Sequence, residues 1–171
     1  PNSLKEVIIQ PRGMILVTGP TGSGKTTTLY ASIQQMDLQR LNISTVEDPV
    51  EYQVSGITQI QVHERIGLSF SGTLRSLLRQ DPDVIMVGEM RDATSFRAAM
   101  SAADTGHLVL STLHTIDAPQ SISRVLDFFP ADERESVRKQ MIGTLKAIIC
   151  QRMTVRKDGN VIPAIEIMIN T

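Results

Sequence analysis

The chain has 171 residues, of which 41% are hydrophobic, and this composition suits one domain with a substantial core. A net charge of −1 and an aromatic content of 4% give no electrostatic or base-stacking basis for binding nucleic acid. The single cysteine, Cys150, excludes an internal disulfide framework and a tetracysteine zinc site. Because no apolar run approaches the roughly 18 residues of a membrane span, we expect a soluble protein of a reducing compartment.

The first predicted elements flank a glycine-rich segment. Residues 1–12 predict a short helix closed by Pro11, residues 13–18 predict an apolar strand, and residues 25–38 predict a helix. Between that strand and that helix, residues 19–26 read GPTGSGKT and match the pattern G-x-x-x-x-G-K-[ST]. A strand, a glycine loop and a helix in this order are the context expected of a phosphate-binding loop.

The residue types of this loop suit phosphate chemistry. Its glycines let the backbone approach phosphate oxygens, and the N-terminus of the following helix points its positive end at an anion. Lys25 is placed to reach the β- and γ-phosphates, and the Thr26 hydroxyl is a ligand for Mg²⁺. The predicted nucleotide-binding residues are Gly19, Pro20, Thr21, Gly22, Ser23, Gly24, Lys25, Thr26 and Thr27.

The rest of the chain alternates strand and helix patterns. Strands are predicted over residues 43–46, 57–62, 84–87 and 107–112, and helical stripes over residues 70–78, 96–103, 122–129 and 137–148. Two last strands, at 150–156 and 161–168, flank a turn and predict a hairpin. This alternation predicts an α/β domain with a largely parallel sheet, whose ligand lies beyond the carboxyl ends of the strands.

Glu89 follows the apolar run 84–87 and therefore stands at such a strand end. A carboxylate there can polarise water or hold Mg²⁺. The strand-end acid that usually helps hold Mg²⁺ is replaced by Gly88, with Glu89 one position later, which favours water activation. The alternative is a structural acid paired with Arg91.

A second group of acids, Glu47, Asp48 and Glu51, follows the strand at 43–46. Three carboxylates within five residues repel one another unless a cation is near. Mg²⁺ or arginines from a neighbouring subunit would supply that cation. The alternative is a solvated loop.

The positions of the histidines and arginines predict different roles for them. His114 follows a strand and is placed to contact a γ-phosphate or the attacking water. For His107, at the other end of that strand, we predict a structural hydrogen bond, with a long-range coupling role as the alternative. We predict that His63 lies in a loop or on the surface. Arg75 and Arg79 are candidates for stabilising phosphate charge in a neighbouring subunit.

Four segments in this order resemble the secretion ATPase superfamily, the RecA-like hexameric motors of type II secretion and type IV pili. Residues 19–26 look like its Walker A motif, 47–52 like its Asp box, 79–92 like its Walker B region and 106–115 like its His box. The resemblance implies a RecA-like P-loop NTPase of the α/β class, with helices on both faces of a largely parallel sheet and a C-terminal β-hairpin. It also implies an ATPase that uses ATP and Mg²⁺.

The resemblance implies roles for individual residues. Lys25 and Thr26 bind phosphate and Mg²⁺, Glu89 is the catalytic glutamate, Glu51 is an essential Asp-box acid, and His114 contacts the γ-phosphate. The expected Mg²⁺ ligands are Thr26, Glu51 and Glu89.

Within the superfamily, residues 88–92 and 166–171 look like the retraction branch, the twitching-motility ATPases. Assembly and secretion members usually carry a tetracysteine module after the segment corresponding to 150–153, where this chain continues into the hairpin. Residues 29–30 and 79–81 look more like the assembly branch, so pilus assembly or type II secretion is the alternative function. A RecA-like DNA translocase is an alternative of another class, against which the near-neutral charge and scarce aromatics weigh.

We expect residues 1–171 to form one RecA-like ATPase domain. The family's N-terminal PAS-like domain would precede Pro1 and the retraction branch's C-terminal helices would follow Thr171, so we expect a fragment that is weakly active by itself. The expected partners are further copies in a homo-hexamer and an inner-membrane pilus or secretion platform protein, without nucleic acid. The expected location is the bacterial cytoplasm, peripheral to the inner membrane through those partners.

Overall fold

The computed structural model describes residues 6–63, 65 and 67–170, and they form a seven-stranded sheet in the order β3-β2-β4-β5-β1-β6-β7. The strands are β1 (Gly13–Thr18), β2 (Ile43–Glu47), β3 (Thr58–Gln61), β4 (Val84–Val87), β5 (Leu108–Leu113), β6 (Leu145–Val155) and β7 (Val161–Ile169). The helices are α1 (Lys25–Gln34), α2 (Phe70–Leu77), α3 (Ala93–Asp104), α4 (Ala118–Asp127) and α5 (Arg134–Thr144), and a short 3₁₀ helix (Leu78–Gln80) follows α2. The strand pairs are parallel except for the antiparallel pair β6–β7.

The strands send alternate side chains into two cores. Met14 and Leu16 of β1 pack on one face with α2, α3, α4 and α5, whereas Ile15 and Val17 pack on the other face with α1. Strands β1, β4 and β5 are buried at every position, as parallel strands covered on both faces are. The predicted α/β class, with a largely parallel sheet and helices on both faces, is confirmed.

The order of the strands gathers the predicted site at one edge. Strands β2, β4, β5 and β1 are consecutive neighbours and run in the same direction. The segments that follow them, at 48–54, 88–92, 114–117 and 19–24, therefore lie beside one another at the carboxyl edge of the sheet. Among the described residues, no helix is long and apolar enough to cross a bilayer.

The prediction that residues 137–148 are helical is wrong beyond Thr144. Helix α5 ends there and Leu145 begins β6, in which Ile148 pairs with Leu16 of β1 in parallel register. A strand buried on both faces lacks the period of two, so its apolar residues also fitted a helical spacing. The predicted hairpin is confirmed, with Val155 of β6 opposite Val161 of β7.

Helix boundaries near the N-terminus also differ from the prediction. Helix α1 ends at Gln34 rather than at residue 38, and the Asp37 carboxylate accepts a hydrogen bond from the Gln39 N–H at 3.2 Å, a local turn that competes with the helix. Residues 6–8 are helical, while residues 1–5 of the predicted N-terminal helix lie outside the described residues.

Candidate functional site

A cleft of about 580 Å³ opens at the carboxyl edge of the sheet. Its walls come from the glycine loop and the start of α1, from the segment after β2, and from the ends of β4 and β5. The predicted site residues that line it are Thr21, Gly22, Gly24, Lys25, Thr26, Thr27, Glu51, Glu89 and His114. Residues predicted from four separate segments of the chain therefore line one cleft.

The backbone of the glycine loop depends on glycine at two points. A Cβ on Gly19 would lie 2.2 Å from the Gln151 carbonyl oxygen and 2.5 Å from the Ser23 Oγ, so β6 and the loop leave no room for a side chain. Gly24 has a φ of 85°, in the left-handed region that favours glycine. No described atom lies within 4 Å of the position that its Cβ would take, so the loop is open on that side.

The N-terminus of α1 lacks the side-chain cap that α2, α3 and α4 have. Ser69, Asp92 and Asp117 accept hydrogen bonds from the first turns of α2, α3 and α4. By contrast, Gly24 precedes α1 without a side chain, and no acidic residue lies in the first turn. The first N–H groups of a helix have no partner within it and carry partial positive charge. The start of α1 is therefore suited to bind an anion from the cleft.

Lys25 adds a full positive charge at this place. Its Nζ donates hydrogen bonds to the carbonyl oxygens of Gly19 at 2.8 Å and Pro20 at 3.0 Å, and the residue is buried. Burial lowers the pKa of the Lys25 ammonium, and the charge of Glu89 opposes this shift. The ammonium is thus held inside the loop, within electrostatic reach of Glu89.

Glu89 lies between two basic side chains. Its Oε2 accepts a hydrogen bond from the Arg91 Nε at 2.9 Å, and its Oε1 lies 3.2 Å from the His114 Nε2. Burial raises the pKa of the Glu89 carboxyl, but Arg91 and His114 outweigh burial and hold that pKa below its usual value. The carboxylate is therefore ionised at neutral pH, and it lines the cleft while it pairs with Arg91.

Two hydroxyls of β5, which the sequence did not single out, hold the end of β4. The Ser111 Oγ donates to the Val87 carbonyl at 2.7 Å, and the Thr112 Oγ1 donates to the Gly88 carbonyl at 2.6 Å. These bonds join the strand that ends before Glu89 to the strand that ends before His114. The sequence feature that could have indicated these bonds is a pair of hydroxyl residues in an otherwise apolar strand.

The three acids at the carboxyl end of β2 do not form one group. Glu47 is only 2% exposed, and its carboxylate accepts hydrogen bonds from the Tyr30 hydroxyl, from the Thr45 Oγ1 at 2.5 Å and from the Gln59 Nε2 at 3.3 Å. Neutral donors from three elements thus hold this charge inside the fold. This network could not be predicted from the sequence, because its members lie far apart in the chain.

Asp48 and Glu51 are exposed, and both line the cleft. The solvated-loop alternative therefore describes these two residues, while Glu47 turns inward. Beside them, the Tyr52 ring lies 4.5 Å from the Tyr30 ring, between centroids, at an angle of 58°. This aromatic pair connects the segment after β2 to α1.

Other predicted residues lie outside the cleft. The His107 Nδ1 lies 3.0 Å from the Ala102 carbonyl oxygen, which confirms its structural hydrogen bond. His63 is exposed and pairs with Leu68 in an isolated bridge. Arg75 and Arg79 are exposed and bond to residues of their own segment, so their action on a neighbouring subunit stays a prediction.

The expected Mg²⁺ ligands, Thr26, Glu51 and Glu89, all line the cleft. In the part of the chain that the structure describes, no three His, Cys, Asp or Glu side chains converge on one point. Mg²⁺ usually keeps several waters and takes one or two carboxylates together with substrate phosphates. A hydroxyl and two carboxylates around one cleft therefore suit a metal ion that arrives with a nucleotide.

Comparison with known proteins identifies the family. The model of a family described as type II/IV secretion system protein matches residues 1–161. The chain belongs to this type II/IV secretion family. The resemblance of the four motifs to the secretion ATPases is thereby confirmed.

Members of the type II/IV secretion family with different tasks are similar to the chain. The type II secretion system protein E of Xanthomonas campestris is 51% identical over 154 residues, which are 90% of this chain and 26% of that protein. The type IV pilus retraction ATPase PilT of Pseudomonas aeruginosa is 47% identical over an alignment of 172 residues, which is 98% of this chain and 50% of that protein. The chain thus spans half or less of the length of these two relatives.

A solved structure confirms the RecA-like fold. The crystal structure of the pilus retraction motor PilT with bound ADP has a TM-score of 0.93 to this chain at 42% identity. The match covers 100% of this chain and 51% of that one. The same architecture therefore occurs in a nucleotide-binding member of the type II/IV secretion family.

Proposed function

We propose that the chain is the ATP-binding and ATP-hydrolysing motor domain of a bacterial type IV pilus ATPase that powers pilus retraction. The observation that carries this proposal is the pairing of an uncapped α1 N-terminus and Lys25 with an ionised Glu89 in one cleft. A phosphate cradle beside a carboxylate that accepts protons is what in-line attack of water on a nucleoside triphosphate requires. The ADP bound to the related retraction motor supports the nature of the ligand.

The geometry suggests a different role for each residue of the cleft. Lys25 exchanges its bonds to the loop carbonyls for bonds to phosphate oxygens, which the start of α1 also binds. Glu89 orients the attacking water and takes its proton, while His114 contacts the γ-phosphate. Thr26 would hold Mg²⁺, with support from Glu51 and Glu89. When bound, Mg²⁺ supplies charge neutralisation at the phosphates.

We propose that residues 1–171 form one domain of a longer protein that acts as a homo-hexamer. Exposed Arg75 and Arg79 are the candidates to stabilise phosphate charge in a neighbouring copy. The proposed location is the bacterial cytoplasm, at the inner membrane through a pilus or secretion platform protein. The membrane systems for which the relatives are named support this partner.

Retraction is favoured over assembly or secretion by the extent of the matches. The alignment with the retraction ATPase covers more of this chain than that with secretion protein E, and the fold matches a retraction motor closely. The higher identity to secretion protein E favours the alternative, a pilus-assembly or type II secretion ATPase. Restoration of twitching in a bacterium that lacks its retraction ATPase, by the full-length protein, would distinguish the two.

Nucleotide binding is tested by Lys25→Ala. We expect the Kd for ATP with Mg²⁺ to rise by roughly 10- to 100-fold, because charge-assisted hydrogen bonds to phosphate are lost. Lys139→Ala, which removes an exposed lysine of α5, is the matched control and should leave the Kd unchanged. Equal Kd values for Lys25→Ala and the unaltered protein would contradict the proposed site.

A further inference from the structure

The amide of Gln59, on strand β3, joins a buried charge to the segment that carries Glu51. Its Nε2 donates to the Glu47 Oε1 at 3.3 Å and to the Tyr52 carbonyl oxygen at 3.1 Å. Its Oε1 accepts from the Val54 N–H at 2.7 Å. One half-buried side chain thus holds the backbone on both sides of residue 53, directly after Glu51.

The network continues to the helix that begins with Lys25. Tyr30, on α1, donates its hydroxyl to the Glu47 carboxylate, and its ring packs against Tyr52. Burial raises the pKa of the Tyr30 hydroxyl, the hydrogen bond from it to Glu47 adds to this, and the backbone of Glu51 acts in the opposite direction. The segment after β2 and the phosphate-loop helix therefore meet at one buried carboxylate.

We infer that Gln59 is a positioning residue, which sets the place of Glu51 relative to the phosphate loop through the backbone of residues 52–54. This inference rests on the proposed ATP hydrolysis, in which Glu51 acts at the cleft. Residues 50–54 are in neither a helix nor a strand, so sheet bonds do not set their position. Hydrogen bonds from side chains of β3 hold these residues in place instead. Besides those of Gln59, the Gln61 Oε1 accepts a hydrogen bond from the Val50 N–H at 3.3 Å.

The inference is tested first without any enzymatic reaction. The chain contains no tryptophan, so Tyr52→Trp introduces a single emitter into the segment. We expect Gln59→Met in this background to increase quenching of the indole by acrylamide about twofold or more, because methionine keeps the length of the side chain but not its strong hydrogen bonds. Thr58→Ala, at an exposed neighbour on β3, is the control and should leave quenching unchanged.

The second readout is the split between kcat and KM in the protein with Tyr52 intact. A small displacement of a group at the reacting centre lowers turnover more than binding, so Gln59→Met should lower kcat by roughly tenfold or more. The KM for ATP should stay within about twofold, because the phosphate loop is unaltered. Thermal unfolding of the same preparations checks that the variants are folded.

A residue exchange guards against a variant that merely unfolds. Gln59→Glu alone places a second carboxylate beside Glu47 and should lower kcat further than Gln59→Met does. Combining it with Glu47→Gln removes the repulsion between the two carboxylates and keeps an acceptor for the Val54 N–H, although the bond to the Tyr52 carbonyl stays lost. The kcat of the double variant should therefore rise above that of Gln59→Glu alone. An exchange that recovers no kcat would overturn the pairing of Gln59 with Glu47.

The outcomes separate this inference from the proposed function. Normal ATP turnover with unchanged kcat and quenching in Gln59→Met would overturn the inference and leave the function standing. An unaltered protein that neither binds nor hydrolyses ATP would overturn the proposed function. In that case increased quenching in Gln59→Met would still support the anchoring of residues 52–54, and unchanged quenching would refute it.

Discussion

Two glutamates stand at the carboxyl ends of neighbouring parallel strands, in surroundings that differ sharply. Glu47 is the last residue of β2, and Glu89 follows β4 by two residues. Glu47 is 2% exposed and held by neutral donors, whereas the Glu89 side chain is 24% exposed and held by Arg91 and His114. Both line the same cleft. Their hydrogen-bond partners, rather than their position in the sheet, set their roles.

The contrast shows how one sheet edge supports stability and chemistry together. A carboxylate surrounded by neutral donors and protein atoms has little freedom to reach water, and its removal leaves those donors unsatisfied. A carboxylate paired with an arginine at an open cleft stays ionised and can accept a proton. We therefore propose that Glu89 takes part in the reaction and that Glu47 supports the wall of the cleft.

The largest expected effect is on turnover. Glu89→Gln should lower the kcat of ATP hydrolysis by roughly 10²- to 10⁴-fold, because an amide cannot accept the proton of water. The Kd for ATP should stay near its original value, as the phosphate loop is unchanged. Steady-state kinetics with Glu135→Gln on α5 as control makes this measurement, and normal turnover in Glu89→Gln would refute the role of Glu89.

Next in size is a loss of stability at the other glutamate. Glu47→Leu should lower the free energy of unfolding by about 3 kcal/mol, because Tyr30, Thr45 and Gln59 lose a buried acceptor. Urea unfolding followed by circular dichroism provides the value. Glu51→Gln is the control, since that exposed acid should leave the midpoint almost unchanged. An equal midpoint for Glu47→Leu would show that the network does not stabilise the fold.

A shift of the pH profile should be smaller. Arg91 helps to hold the pKa of Glu89 below its usual value, so Arg91→Gln should raise that pKa. Activity is lost as pH falls through the pKa of the base, and the acidic limb of kcat should therefore move to higher pH, by about one unit. Arg97→Gln, which alters a pair with Glu133 on the surface, should leave this limb in place. An unmoved limb in Arg91→Gln would contradict the electrostatic role of Arg91.

The smallest effect is expected at the amino end of β5. His107→Phe removes the bond to the Ala102 carbonyl and should cost about 1 kcal/mol of stability while turnover is kept. His114→Phe, at the carboxyl end, should reduce turnover with little change in stability. Unfolding and ATPase measurements on both variants compare the amino and carboxyl ends of β5. A drop in turnover for His107→Phe would contradict a purely structural role for His107.

Much of the cleft was predictable because strand direction orders it. The glycine loop, Glu89 and His114 each follow an apolar strand, and parallel strands place such residues at one edge. The Glu47 network was not predictable, because Tyr30 and Gln59 contribute through contacts that appear only in the folded chain. The start of β6 was mistaken for helix because its residues are buried on both faces and fit either period.

The role of Glu89 is tested most sharply by identifying the nucleotide that remains bound to the protein after incubation with ATP and Mg²⁺. We expect Glu89→Gln to retain ATP with its γ-phosphate intact, while the unaltered protein and Glu135→Gln carry ADP. Separation of the protein from free nucleotide, followed by chromatography of the released nucleotide, provides the ratio. Recovery of ADP from Glu89→Gln at the rate of the unaltered protein would contradict the assignment of Glu89 as the catalytic base.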